Sequence, residues 1–304
     1  SRYLADIIKN KYKMNPLTCT WAPHMYTNVG WRNFQSWIAS GLDNVLFTPN
    51  KKTHKILTQI SFKNLLHPFQ PFAMGQLYFP VRLALEKKIK LIIYGDSYAE
   101  RGLGGNLYTK SSAFNPGLYS YRNEKDLFFG GESIGELKKY NIEKNDLIPY
   151  LPLKEGELSN VDLKVIQLPY YLNYNPQSNY YYSIENTNFE INPDGRTEGT
   201  YTKYASLDDK IDGLHYYTWF IKTGRGRATE DAAIEVRNDI ITREEAVALV
   251  KKYDGEFPKK YLKDILEYLN MSEEEFHNTI DKFRSTDLWE KKNNNWQLKY
   301  AVWK

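Results

Sequence analysis

The sequence predicts an α/β fold: a parallel sheet with flanking helices, then an irregular tyrosine-rich insertion, then a small C-terminal helical bundle. Three observations carry this. Short apolar strands alternate with helix-length segments up to about residue 100. Glycine, asparagine, proline and tyrosine crowd the next hundred residues. Two capping signals then open helices after residue 240. Element by element, Leu4, Ile7 and Ile8 share a helical face over 1–13, which Met14-Asn15-Pro16 ends. Leu17 to Trp21 reads as a buried strand stopped at Pro23. Trp31, Phe34, Trp37 and Ile38 recur at helical spacing up to Gly41, and Asn44 to Thr48 is a second strand bounded by Pro49-Asn50. Ile56, Leu57, Ile60 and Leu65 predict a helix over 53–66. His67-Pro68-Phe69-Gln70-Pro71-Phe72 reads as a rigid break, followed by a helix to Lys87 and a third strand, Lys90 to Tyr94. Helices of this length between strands imply βαβ crossovers and parallel pairing. Ligands then sit beyond the carboxyl ends of the strands. Those ends are Trp21-Ala22-Pro23-His24, Thr48-Pro49-Asn50 and Gly95-Asp96-Ser97.

The chain divides into three stretches on this pattern. Residues 1–100 form the α/β domain. Residues 101–206 form an insertion with short strands, whose aromatics give it something to bury. Residues 207–304 return to helix, interrupted at Gly224-Arg225-Gly226-Arg227, and end in a bundle over 242–285. There, Thr242 with Glu245 and Ser272 with Glu275 are capping boxes, and Asp254-Gly255 and Asn270 close helices.

Composition narrows the function classes. The net charge of +4 is spread out, and Lys9-Asn10-Lys11-Tyr12-Lys13 is too short for a basic stripe, so nucleic acid is not an expected partner. Cys19 is the single cysteine, which excludes an internal disulfide framework or a multi-cysteine metal site within this chain. Its place inside a strand reads as core. No apolar run approaches the ~18 residues of a membrane span, and no signal peptide is expected. The expected location is therefore cytoplasmic, with no membrane partner. The 25 tyrosines supply most of an aromatic share of 15%, and a ring with a polar tip suits wet pockets and interfaces as well as cores. Sugar binding, partner binding and an aromatic core all stay open on that count. The chain opens Ser1-Arg2-Tyr3-Leu4 in a helical pattern without an initiator methionine, so further sequence is expected upstream.

Two segments carry the candidate chemistry. Tyr94-Gly95-Asp96-Ser97-Tyr98-Ala99-Glu100 ends a strand in glycine and follows it with two carboxylates four residues apart. Glycine permits close backbone approach to a ligand, and the carboxylates suit a hard cation bridging phosphate oxygens. A strand-to-helix turn with a capping Asp and a solvated Glu fits the same residues. The second segment mixes Arg196, Lys203, Arg225 and Arg227 with Asp208, Asp209, Asp212 and His215. Arginine forks match phosphate and carboxylate, while a set of surface ion pairs is the plainer alternative. His24 and Gln70 are lesser candidates: the first follows a strand, the second sits between two prolines. No Ser-His-Asp ordering, HExxH motif or zinc spacing is present. The residues alone support an α/β enzyme acting on a phosphate-bearing ligand and leave the reaction open.

Taken together, several segments resemble one family, the N-acetyl sugar amidotransferases of bacterial surface-polysaccharide (lipopolysaccharide O-antigen) synthesis. They are Cys19-Thr-Trp-Ala-Pro-His24, Asn44-Val-Leu-Phe-Thr-Pro-Asn50, His67-Pro-Phe-Gln-Pro-Phe72, Tyr94-Gly-Asp-Ser-Tyr-Ala-Glu100, Arg196-Thr-Glu-Gly-Thr-Tyr201, Tyr204-Ala-Ser-Leu-Asp-Asp209, Gly226-Arg-Ala-Thr229 and Tyr253-Asp-Gly-Glu-Phe-Pro258. The likeness covers nearly the whole chain. It implies the PP-loop ATP pyrophosphatase (adenine nucleotide alpha hydrolase-like) fold of NAD and GMP synthetases. Ser1 aligns with the last serine of the family's Ser-Gly-Gly-Lys-Asp-Ser phosphate loop. The rest of that loop, and a cysteine-rich segment before it that would be the place for Zn²⁺, are expected upstream. Asp96-Ser97 stands where relatives usually carry Glu-Asn, keeping a carboxylate on a shorter arm.

The resemblance implies that AMP is transferred from ATP to the acetamido oxygen of a nucleotide-activated N-acetyl (diacetamido) sugar. Ammonia then displaces AMP and leaves an acetamidino group. It implies ATP and Mg²⁺ as cofactors, with Asp96 and Glu100 on the metal, and Asp96, Arg225 and Arg227 as the catalytic set. Ser1, Thr20, Trp21, Ala22, His24 and Gly95 would bind ATP. Gln70, Arg196, Lys203, Asp208 and His215 would face the substrate. No glutaminase triad is visible, so ammonia would come from glutaminase and ammonia-channel subunits of the imidazole-glycerol-phosphate-synthase type. Two rivals predict other features. A PP-loop tRNA-modifying enzyme needs paired cysteines and a basic face. A non-catalytic carbohydrate-binding module would use the aromatic insertion and never consume ATP.

Overall fold

The computed structural model describes residues 2–95, 118–159 and 161–304. It shows a mixed α/β protein with many helices and small parallel sheets. Helix α1 (Arg2–Asp6) runs into a π-helical turn at Ile7–Lys11. Strand β1 (Thr18–Trp21) connects through α2 (Asn28–Ile38) to β2 (Asn44–Phe47), and the strands pair in parallel from Thr18↔Asn44 to Trp21↔Phe47. This is the expected βαβ unit. Thr27 caps α2 by accepting from the Gly30 N–H, and Asn50 caps α3 (Lys51–Leu65) through Lys52 and Thr53.

Helix α4 (Gln70–Glu86) corrects the rigid break read over 67–72, because Gln70 and Pro71 are its first turn. A proline there forgoes an N–H that has no intrahelical partner anyway, so the same residue that signals a break also starts a helix. A second correction concerns the sheet. β3 (Leu91–Tyr94) pairs in parallel with β4 (Lys164–Gln167), and among the described residues neither joins β1 and β2. Apolar patterning marks a strand and its buried face but does not name its neighbour, and β4 lies inside the stretch read as irregular.

The insertion is knitted into the core. Phe129, Leu137, Ile142, Leu147 and Tyr150 are buried in one cluster with Trp21, Leu57, Ile60 and Phe72 from the first hundred residues. Helix α5 (Pro176–Asn186) is tied to α1 by the Tyr182 hydroxyl donating to Asp6 Oδ2 at 2.6 Å. The C-terminal part comprises α6 (Asp212–Thr223), α7 (Arg227–Arg237), α8 (Arg243–Tyr253), α9 (Leu262–Leu269), α10 (Glu273–Asp281) and a hairpin of β5 (Trp289–Lys292) with β6 (Asn295–Leu298). Its core of Leu214, Ile221, Ile265, Phe276, Ile280 and Trp289 closes over Phe62 and Leu66 of the α3 end. The Thr242/Glu245 capping box is complete, and Asn270 ends α9 in the left-handed region. At Ser272 one arm is present, its hydroxyl accepting from the Glu275 N–H at 3.1 Å. No described helix is long and apolar enough to cross a membrane.

Two buried contacts fix how α4 and α3 sit in the core. At Gly75 a Cβ would stand 2.2 Å from Trp21 Cε2, so α4 crosses β1 at backbone distance. Trp21 in turn packs on Phe47, Phe79 and Tyr150. Gly75→Ala should therefore destabilise by about 1–3 kcal/mol despite alanine's better helix propensity, since overpacking a closed core outweighs it. An unchanged urea midpoint would show that the crossing has slack. The second contact is His54, 3% exposed, whose Nδ1 lies 3.0 Å from the Tyr150 hydroxyl. Burial, then the neighbouring His24 ring, push its pKa down to about 2. In the unfolded chain a histidine titrates near 6.5, so as pH falls through that value the unfolded state gains a proton the folded state refuses. Stability is then lost, by about 2 kcal/mol at pH 5 for this one group. The fall in urea midpoint from pH 7 to pH 5 should shrink in His54→Gln, and equal slopes in the two proteins would remove His54 as its source.

Candidate functional site

The carboxyl end of β1 is sewn to the loop before α6. Asp209, 3% exposed, accepts from the His24 N–H at 2.7 Å, His24 Nδ1 at 2.8 Å, the Met25 N–H at 3.2 Å and the Ile211 N–H at 3.1 Å. Because a carboxylate oxygen only accepts, His24 carries its hydrogen on Nδ1. Its Nε2 is buried without a hydrogen-bond partner among the described residues, and its ring packs against those of His54, Phe69, Phe72 and Tyr268. Backbone bonds from Thr27 N to Asp208 O and from Lys210 N to Met25 O complete the seam. Gly30 lies under it: a Cβ there would come within 2.4 Å of Asp208 Cα. The amino end of α2, where an anion would bind in an open βαβ unit, is therefore covered by chain.

This changes the picture for the residues expected to bind ATP. Trp21 and Ala22 are 5% and 4% exposed, and His24 is enclosed, so none of the three presents a surface to a nucleotide. Thr20 is partly exposed, its hydroxyl accepting from Asn44 Nδ2 at 3.0 Å. Gly95 follows β3, which belongs to a different strand pair. Ser1, Asp96 and Glu100 lie outside the described residues. Among the described ones, no group of three or more His, Cys, Asp or Glu side chains is arranged to hold a metal ion. Cys19 is partly buried, and burial pushes its thiol up to about 11, which disfavours the reactive thiolate.

On the other side of the seam, α6 and α7 bring charges together. Arg227 Nε donates to both Asp231 oxygens at 2.9 Å, and its Nη1 donates to the Tyr216 hydroxyl at 3.0 Å. Tyr216 also bonds the Ser206 hydroxyl, and its ring lies 5.3 Å from the guanidinium carbon. The Arg227 and Asp231 side chains are 16% and 10% exposed, so the pair is largely out of water. Asp212 is buried, with Oδ2 unbonded among the described residues. Burial first, then Asp208 and Asp209, push its carboxyl well above the usual range, and Arg227 partly offsets this. Asp208 itself is exposed. His215 stacks on Phe69 with ring centres 4.6 Å apart, and burial first, then His67, hold it well below the usual histidine range. Burial, then Lys222, lower His67 to about 4.

The structure therefore draws Arg227, Asp208 and His215 into one neighbourhood with Asp212, Tyr216 and Asp231. Arg225 is exposed one residue before the α7 cap, and Lys203 is exposed on the preceding loop. Gln70 is used within the fold: its Oε1 accepts from the Ser61 hydroxyl and the Gly130 N–H, both at 2.8 Å. Arg196 is likewise engaged, holding Glu256 through both terminal nitrogens at 2.5 and 2.7 Å. Sequence reading missed Asp231 and Tyr216. The first was legible as an i,i+4 partner of Arg227 on a helix; nothing local marks the second. A largely desolvated guanidinium near a buried carboxyl whose pKa burial raises suits an anionic, hydrogen-bonding ligand.

Residues 198–302, which carry this neighbourhood, match the family model described as LPS biosynthesis protein WbpG-like, C-terminal domain. No curated protein matches the chain. The C-terminal third is thus similar to a domain of lipopolysaccharide-biosynthesis proteins, which points the chain to that setting.

Proposed function

We propose that the chain is an ATP-dependent amidotransferase of the PP-loop type, acting on a nucleotide-linked diacetamido sugar in lipopolysaccharide synthesis. The observation that carries this reading is the match over 198–302, because it lies on the segment whose Arg227 neighbourhood is sewn to the end of the parallel β1–β2 unit. An amide oxygen is a poor leaving group. In the reaction proposed, the acetamido oxygen attacks the α-phosphorus of ATP, the bond to pyrophosphate breaks, and an O-adenylyl imidate forms. Ammonia adds at its carbon, AMP leaves with the C–O bond electrons, and a lost proton yields the acetamidine. Arg227 would hold phosphoryl oxygens as charge develops on them, and exposed Arg225, Lys203 and Asp208 would meet the nucleotide sugar. Mg²⁺, held by Asp96 and Glu100, would neutralise the departing pyrophosphate.

Water attacking the adenylate would only regenerate the amide, so ammonia must be supplied close by. The single cysteine sits in β1 with its thiol pushed up by burial, an unsuitable glutaminase nucleophile. The reading therefore includes separate glutaminase and ammonia-channel subunits of the imidazole-glycerol-phosphate-synthase type, and a cytoplasmic site where ATP and sugar nucleotides occur. Exposed Tyr170, Tyr171 and Tyr181 favour one second reading, a carbohydrate-binding module that never uses ATP.

The full-length protein should convert ATP to AMP and pyrophosphate only when the diacetamido sugar nucleotide and ammonium are both present. Arg227→Lys, which keeps charge but loses the fork, should lower kcat about 10²-fold. Release of ADP and phosphate would overturn the adenylation, and sugar binding with no nucleotide turnover would select the binding module. Supplied with glutamine alone, the protein should stay silent until a glutaminase is added. Turnover on glutamine by the isolated protein would remove the need for that partner.

A further inference from the structure

Two arginine-bearing segments, the loop 196–200 and the start of α7 at 224–229, are held by a single turn that follows α8. In that turn, Asp254 and Glu256 flank Gly255, which takes φ +76° and whose Cβ would stand 2.3 Å from Phe220 Cε1. A side chain is excluded there both by the backbone region and by the packed ring. The turn has one course, and its two carboxylates leave it toward different loops.

Asp254 caps a helix that cannot cap itself. The N-cap of α7 is Gly226, which has no side chain to meet the first free N–H groups. Asp254, 28 residues further along the chain, accepts instead from the Gly226 N–H at 2.8 Å, the Thr229 N–H at 3.3 Å and the Thr229 hydroxyl at 2.5 Å. A Cβ on Gly226 would come within 2.5 Å of Asp254 Oδ1, so the glycine makes room for the borrowed cap. The first residue of the helix so held is Arg227.

Glu256 holds the other loop. Besides gripping the Arg196 fork, it accepts from the Gly199 N–H at 3.0 Å. Arg196 also donates to Thr200 O at 3.0 Å and lies 4.5 Å over the Tyr253 ring. Gly199, at φ +83°, lets the loop back directly onto Tyr216, where a Cβ would be 3.1 Å from Tyr216 Cβ. Tyr216 is the residue that bonds Arg227 Nη1. The two arms of the turn therefore close on the two ends of one hydrogen bond.

We infer that Asp254 and Glu256 are positioning residues that set the Arg227–Tyr216 pair, and that Arg196 is a strut in this device, acting through Glu256 and not as a ligand of the substrate. The inference rests on the reading that chemistry takes place at the Arg227 neighbourhood.

The test uses the full-length protein with Asp254→Ala, Asp254→Asn, Glu256→Gln and Arg196→Ala, each followed by amide hydrogen–deuterium exchange and by steady-state kinetics. Asp254→Ala should speed exchange over 226–229 about tenfold or more while α10 keeps its protection. Its kcat should fall roughly 10- to 100-fold with KM for the nucleotide sugar within about twofold, as expected when a reacting group is displaced without losing a substrate contact. Asp254→Asn keeps an acceptor oxygen and should recover most of both, which also decides the matter if the alanine variant does not fold. Glu256→Gln should speed exchange at Gly199, and adding Arg196→Ala to it should change neither constant further. Unchanged exchange over 226–229, or a loss of protection spread through the whole chain in the asparagine variant, overturns the positioning role. A raised KM confined to Arg196→Ala overturns the strut and makes Arg196 a substrate ligand. If the wild-type protein forms no AMP, the reaction proposed above fails, and the exchange measurements still decide the positioning.

Discussion

Asp209 brings a carboxyl group into the interior at the point where the first strand ends. Removing such a group from water costs several kcal/mol unless its oxygens are fully bonded. Here four donors meet them, two from His24 and one each from Met25 and Ile211. Meeting that requirement brings residues far apart in sequence together, because His24 and Asp209 are 185 positions apart. Once they meet, segment 24–27 runs against 207–210, α2 is covered at its amino end, and α6 must begin beside the strand end with Asp212 inside. The placement of Arg227 follows, since α7 is joined to α6 by only three residues, 224–226.

The same seam organises the histidines. His24, His54, His67 and His215 gather around Phe69 and Phe72, with ring centres 4.6 to 5.8 Å apart between successive members. Aromatic surroundings favour neutral imidazoles, and burial lowers His54, His67 and His215 accordingly. A neutral imidazole stacks and packs as a small aromatic ring while its nitrogens keep the option of a hydrogen bond, as His54 uses with Tyr150. This region is a buried cluster that joins segment 24–27 to segment 207–210, and Asp208 and Arg225 are exposed to solvent.

The arginines illustrate how one residue type is divided among roles by its neighbours. Arg196 is saturated by Glu256 and Thr200, and Arg284 is sandwiched by Trp289 and Trp296 at 4.6 and 5.6 Å. Arg225 stands in solvent, and Arg227 is shielded near Asp212, whose Oδ2 has no partner among the described residues. The tyrosines divide similarly. Tyr150 is fully buried, Tyr204 stacks on Tyr180 at 4.6 Å, and Tyr170 and Tyr171 are more than half exposed.

Local pattern was enough for the elements whose causes are local. The strands at Thr18–Trp21, Asn44–Phe47 and Leu91–Tyr94, the α2 crossover, the Thr242 capping box and the Asn270 stop are set by side-chain period, capping chemistry and left-handed backbone preference, all of which act within a few residues. The grouping of Arg227, Asp208 and His215 was also legible, since they fall within one short stretch. Tertiary structure alone decided the rest. That β3 pairs with 164–167, that Trp21 and Ala22 turn inward, that Gln70 serves Gly130 and that Arg196 serves Glu256 each depend on a partner distant in sequence. A hydrogen-bonding group satisfied inside the chain and one held ready for a ligand look alike in sequence, because the difference is whether folding has already delivered the partner.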